Sequence, residues 1–239
     1  FFNLPELMNL FKEVADIKTA DQLDLPTPEV EYHNIVAKPT EHQQDMVKAL
    51  SERAAKVHSG TVDPSTDNML KITSDGRKLG LDQRIINPML PDEPGTKVNQ
   101  CVDNILQIWR DGQPEKLTQL VFCDISTPQA AGSKKVAKTL DNPILHALEQ
   151  AVPEPEKPLA FTVYEDIRQK LIAQGMPASQ IAFIHEANTE VRKKELFSKV
   201  RSGQVRVLLG STQKMGAGTN VQDLLVALHD LDCPWRPGD

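Results

Sequence analysis

Residues 208–222, LLGSTQKMGAGTNVQ, pass from an apolar run into two hydroxyls, a lysine and the turn Gly216-Ala217-Gly218. The run Val205–Leu209 reads as a short strand buried on both faces, the pattern of a parallel sheet. In an open α/β sheet, ligands bind at the carboxyl ends of the strands. Glycines there let backbone approach a phosphate or ribose, and Ser211, Thr212 and Lys214 supply donors to an anion. Taken alone, a GxG turn with hydroxyls is equally a tight connection between strand and helix.

The flanking sequence decides the architecture. Upstream, Gln119–Cys123 reads as a strand, and Val163, Ile167 and Leu171 line a helix that Gly175 ends. Ile181–Ile184 is a strand, Thr189–Ser202 a helix ended by Gly203, and Val226–Leu231 a further strand. Short apolar strands alternating with amphipathic helices predict an α/β domain, a mainly parallel sheet with helices on both faces. Nearer the start, Pro5–Ala20 has a helical pattern with Leu7, Leu10, Phe11 and Val14 on one face. A linker with Pro26 and Pro28 follows. Glu29–Lys38 reads as a strand. Thr40-Glu41-His42-Gln43 is a capping box opening a helix that buries Val47, Leu50, Ala54 and Val57 and stops at Gly60. LKITSDGRKLGLDQRIINPML is expected to stay helical as far as Asn87-Pro88. Val98, Val102, Ile105 and Trp109 then fall at helical spacing. Residues from about 128 to 162, rich in Ala, Lys and Pro, read as a surface insertion with one short helix around Ile144–Leu148.

Composition bounds the function. The chain has 239 residues, 39% of them hydrophobic, enough to bury a core without disulfide or metal. Cys101, Cys123 and Cys233 form no CxxC pair, which argues against a zinc ribbon or disulfide framework and fits a reducing cytoplasm. No apolar run approaches the roughly 18 residues of a membrane span. The opening FFNLPELMNLF lacks the basic region of a signal peptide, and with no initiating methionine the chain reads as a segment of a longer protein. A net charge of −6 speaks against a wholly basic surface, yet residues 190–214 hold seven basic side chains against two acidic ones. Lys193, Lys194 and Lys199 read individually as a solvated helix face. Arg192 stands out because a helix N-terminus, here after Asn188-Thr189, already favours phosphate. His185 and His229 lie near Glu186 and Asp230 but have no metal-ligand spacing or adjacent nucleophile, so they read as structural. Cys123 reads as inert core, and Trp235 as packing at the end of the last strand.

Set in order, these segments resemble the second RecA-like lobe of Swi/Snf-type translocases of helicase superfamily two, along nearly the whole chain. LPTPEVEYHNIVAKPTEHQQDMVKAL is similar to that family's first strand and helix, and LDQRIINPMLPDEPGTKVNQCVDNI to its segment leading into a lysine-bearing helix. QLVFCDIST matches motif IV, IAFIHEANTEVRKKELFSKV the strand, turn and arginine-bearing helix, and STQKMGAGTNVQ motif V. LHDLDCPWRP resembles the strand and turn before motif VI. A narrower likeness is to the helicase segment of long proteins from bacterial conjugative mobile elements, some of which carry a methyltransferase region.

The resemblance implies residues 1–28 as a helical lead-in and linker from a first lobe. It implies 29–239 as the second lobe, with a helical subregion at about 41–95, ending before the paired arginines of motif VI. It places Gly216, Gly218, Thr219 and Asn220 at the inter-lobe cleft that binds ATP with Mg2+. Ser126, Arg192, Thr212 and Lys214 would face the DNA backbone. It expects no metal ligands and no complete catalytic set in this chain, because the phosphate loop and DExH box belong to the first lobe. It therefore implies no tight ATP binding by this chain alone and no membrane partner. Two other readings stay open: a non-catalytic docking module derived from a motor lobe, and a free-standing Rossmann-type enzyme. The latter fits worse, since the glycines follow a late strand and not the first.

Overall fold

A computed structural model of the chain describes residues 3–18, 22–23, 28–128, 161–216 and 219–233. The chain divides into two units, residues 1–35 and 36–239.

In the first unit, α1 spans Leu4–Val14, with Pro5 in its first turn, where a missing N–H costs nothing. Leu7, Leu10, Phe11 and Val14 are all exposed. The helix stops at Ala15, which is extended, short of the expected Ala20, which lies outside the described residues. Residues 28–40 form no strand, contrary to the expectation for Glu29–Lys38. A strand exists only through a neighbour's ladder, and these residues have no partner strand among those described. Tyr32 and Val36 are accordingly 86% and 84% exposed.

The second unit opens with α2, Glu41–His58, and α3, Met69–Leu81. The Thr40–Gln43 capping box forms as expected, each side chain bonding the other's backbone N–H at 3.0 Å. Thr40 Oγ1 also donates to Gln83 Oε1, and Gln43 Nε2 to Leu79 O, which ties the start of α2 to the end of α3. No residue of α2 is fully buried. Val47 is 52% exposed, while Leu50, Ala54 and Val57 are half-buried. α3 ends at Leu81, earlier than expected. The Asp82 carboxylate bonds Arg84 N and the Arg84 guanidinium, competing locally with the helical ladder, and a 3-10 turn Gln83–Ile85 follows. Arg84 also pairs with Asp166, and Lys170 with Asp92 and Asp166.

Next come α4 (Lys97–Asp111), β1 (Thr118–Phe122), α5 (Val163–Ala173), β2 (Ile181–Phe183), α6 (Glu190–Arg201), β3 (Val207–Gly210), the single turn α7 (Thr212–Met215) and β4 (Leu225–Asp230). The four strands are all parallel, in the order β2-β3-β1-β4. Alternate strand residues face opposite layers. Val121, Cys123, Phe183, Val207 and Leu209 pack with α4 and α5 through Val102, Ile105, Ile167 and Leu171. Leu120, Ala182 and Leu208 pack with Val200, Leu196 and Phe197 of α6 and with Met215. This is the α/β architecture of RecA-like type, helices on both faces of a parallel sheet, with an N-terminal helical extension. On β4 no helix among the described residues covers the layer that α6 covers elsewhere, and Val226 and Leu228 are exposed. The insertion expected from about 128 to 162, its short helix and Trp235 fall outside the described residues, except at the insertion's ends.

Gly60, Gly175 and Gly203 end their helices in positive φ, at 71°, 95° and 69°. Gly210, the last residue of β3, is chosen by space: a Cβ there would lie 2.5 Å from Ile184 Cγ2 and 2.6 Å from Met215 Sδ. Gly210→Ala is therefore expected to destabilise the chain by about 1–3 kcal/mol through overpacking. Urea unfolding measures this, and an unchanged midpoint would show that the β3 tip has slack.

Candidate functional site

The carboxyl ends of β1, β3 and β4 lie side by side and are joined beyond the strands proper. Cys123 N donates to Gly210 O at 2.9 Å, and Leu231 N to Phe122 O at 3.0 Å. From the β3 tip the chain turns at Ser211, which is buried, into the one-turn helix α7. Lys214 N and Met215 N both donate to Ser211 O, and Gly216 N to Thr212 O at 2.7 Å. Met215 is 2% exposed and points into the α6 layer beside Ile184 and Leu208, with Val221 1% exposed in the same cluster. The two apolar side chains hold the ends of the loop down. Between them Gly216 and Asn220 are exposed and Thr219 half-buried, with Gln213 and Lys214 also outside.

Gly216 has ordinary right-handed torsions, φ −66° and ψ −38°, so its role is steric. A Cβ at that position would sit 2.6 Å from Thr212 O. Gly218 lies outside the described residues. Thr219 Oγ1 is buried without a hydrogen-bond partner among the described residues. The carbonyl of Asn220 accepts from Arg201 Nη1 at 2.7 Å, which ties the loop to the end of α6.

Ser126 and Arg192 are placed differently from the turn residues. Ser126 is a non-glycine residue at φ 63°, and its Oγ accepts from Val163 N at 3.0 Å, capping the first turn of α5. That bond gives Ser126 a structural occupation at the same strand edge. Arg192 is exposed in the first turn of α6, behind the Thr189 cap, whose Oγ1 accepts from Arg192 N at 3.2 Å. No hydrogen bond or ion pair among the described residues joins Arg192 to the 211–216 turn. Thr212 and Lys214 are brought together with Gly216 by α7 itself.

Two carboxylates were not singled out from the sequence and lie in the middle of this edge. Asp124 Oδ1 accepts from Thr212 N at 2.7 Å. Asp232 accepts from Asp124 N through both oxygens, at 2.9 and 3.1 Å, and from Ile125 N at 2.7 Å. Burial pushes the Asp232 carboxyl above its ordinary range, and the two backbone N–H bonds pull it back. The available signal was position: each acid stands at or just past the end of an apolar strand, in CDIST and in LHDLDC.

Both histidines sit in packed surroundings, His229 hydrogen-bonded and His185 with its Nδ1 buried without a partner among the described residues. Gln119 Nε2 donates to Ile105 O, which fixes its Oε1 as acceptor for His229 Nε2–H at 2.8 Å. Burial lowers His229 to about 4. His185 stacks edge-on against Tyr164, and burial, then the nearby Lys214 charge, lowers it. Burial pushes the Cys101 thiol up to about 12 and the Cys123 thiol up as well, leaving both unreactive. No group of three or more side chains that could hold a metal, and no helix long and apolar enough to cross a membrane, occurs among the described residues.

Compared with protein-family models and with curated proteins, the sequence matches none.

His229 yields a pH dependence with a definite sign. Its folded value, about 4, lies below its ordinary 6.5. The unfolded chain therefore takes up the proton first as pH falls. The contribution of His229 is complete above about pH 6.5 and is lost as pH drops towards 4. Urea midpoints of the wild type are expected to fall more steeply across that window than those of His229→Gln. Parallel curves would exclude His229 as the source.

Proposed function

We propose that this chain is the second motor lobe of an ATP-dependent DNA translocase of Swi/Snf type, grips duplex DNA by its phosphate backbone and works in the cytoplasm. One observation carries the reading. A doubly buried parallel strand delivers the 211–216 turn to the strand-tip edge, pinned from below by Met215, with Lys214 and Gly216 exposed and Thr212 half-buried. Such a turn offers hydroxyl, ammonium and backbone to a polyanion, and backbone contacts of that kind give sequence-independent binding. The basic residues of α6, with Arg192 in the first turn, add positive charge to an otherwise acidic chain.

ATP with Mg2+ would lie between this lobe and a first one, on the side of Gly216, Gly218, Thr219 and Asn220. The Thr219 hydroxyl, buried without a partner among the described residues, fits a polar ligand against that loop. Bound there, ATP supplies the phosphoryl-transfer chemistry; this chain's part is to close on it and to hold DNA. The likeness to the translocases of conjugative elements belongs to the same proposal. The exposed Val226 and Leu228 on β4 favour a second reading, a non-catalytic module that docks another protein.

Duplex binding measured by fluorescence anisotropy across a salt series separates the two. Lys214→Ala and Arg192→Ala are each expected to weaken binding equally for unrelated sequences and to reduce the slope of log affinity against log salt by about 1. A chain that binds no duplex at low salt would support the docking module. In the protein that carries both lobes, Gly216→Val is expected to leave the fold intact and lower DNA-stimulated ATP hydrolysis at least about tenfold, since its Cβ cannot coexist with Thr212 O. Unchanged turnover removes the turn from the motor.

A further inference from the structure

α7 is a single turn of four residues, too short to persist by its own hydrogen bonds. Its N-cap, Ser211, makes no side-chain capping bond. The first amide of the turn, Thr212 N, is instead satisfied from a different strand, by Asp124 Oδ1 at 2.7 Å. Asp124 is itself immobilised: Asp232, beyond β4, receives Asp124 N on both carboxylate oxygens and Ile125 N as well. Tyr164 OH donates to Cys123 O at 2.5 Å, fixing the residue before it. The chain of bonds runs from Asp232 through Asp124 to Thr212 and crosses the tips of β4, β1 and β3.

We infer that Asp124 is a positioning residue: held by Asp232, its carboxylate caps Thr212 from outside the local sequence and sets the 211–216 turn for an incoming phosphate backbone. The inference rests on the reading of that turn as a DNA grip. It also explains an otherwise adverse feature, a carboxylate next to a surface meant for a polyanion. Like charges repel, so an acid with no other task there weakens binding, and its removal should tighten it. A capping acid behaves in the opposite way, because its removal frees the turn and disperses Thr212 and Lys214.

The sign therefore decides between them. Wild type, Asp124→Ala and Asp124→Asn are compared by amide hydrogen exchange and by anisotropy with a short labelled duplex. Asp124→Ala is expected to speed exchange of the Thr212–Gly216 amides about tenfold and to weaken duplex binding by a similar factor, with the Val207–Leu209 amides of β3 unchanged. Asp124→Asn keeps an acceptor oxygen and loses the charge, and is expected to restore both. Tighter or equal binding by Asp124→Ala, or failure of Asp124→Asn alongside it, overturns the inference. Loss of protection throughout β3 also overturns it, by showing a role in the whole sheet. Should Lys214→Ala and Arg192→Ala leave duplex affinity untouched, the DNA reading fails separately, and the exchange result alone decides whether Asp124 positions the turn.

Discussion

The constraint on which this structure depends is the burial of β1 and β3 on both faces. With no water on either side, every backbone group of these strands must be paired within the sheet, and parallel strands achieve that only when helices return the chain to the same starting edge. All four strands therefore end at one rim. Within the sheet, the polar side chains of Gln119 and His229 are paired with each other and with backbone, and further polar groups collect at that rim, where Asp124, Ser126, Ser211, Thr212 and Asp232 gather.

Two kinds of force meet there. Below the rim, Met215 and Val221 are drawn into the α6 layer by apolar burial, each worth roughly 1.5–3 kcal/mol. Above it, charge-assisted bonds from Asp124 and Asp232 fix amides that the strands leave behind. Burial acts without direction, whereas the carboxylates set angle and distance. The turn beyond β3 needs both, because one helical turn contributes almost no order of its own. Arg206, 2% exposed, does comparable work at the opposite end of the strand, donating to the carbonyls of Leu117 and Gly112.

The layers were legible because they are written in periodicity. Val98, Val102 and Ile105, or Val163, Ile167 and Leu171, repeat at the spacing of a helix face, and glycines 60, 175 and 203 mark where helices end. The 29–38 segment has equally suitable residues and makes no strand, since a strand is a property of two segments and only one is in view. Asp82 ended α3 early through a side-chain competition that pattern reading does not weigh. The site was half legible. Thr212, Lys214 and Gly216 lie in one contiguous motif, but Asp124 and Asp232 act across 88 and 108 positions of sequence and acquire meaning only when three strand tips meet. Ser126 was read as a contact for a ligand, and its hydroxyl is engaged with Val163.

That last bond bears on how the protein can vary. Ser126 and Val163 stand 37 residues apart in sequence and within one hydrogen bond in space. Between such coincident anchors, the entropy of closing a chain grows only with the logarithm of its length. Lineages can therefore lengthen, shorten or replace the intervening stretch, or graft a foreign module into it, while the sheet beneath keeps the same register.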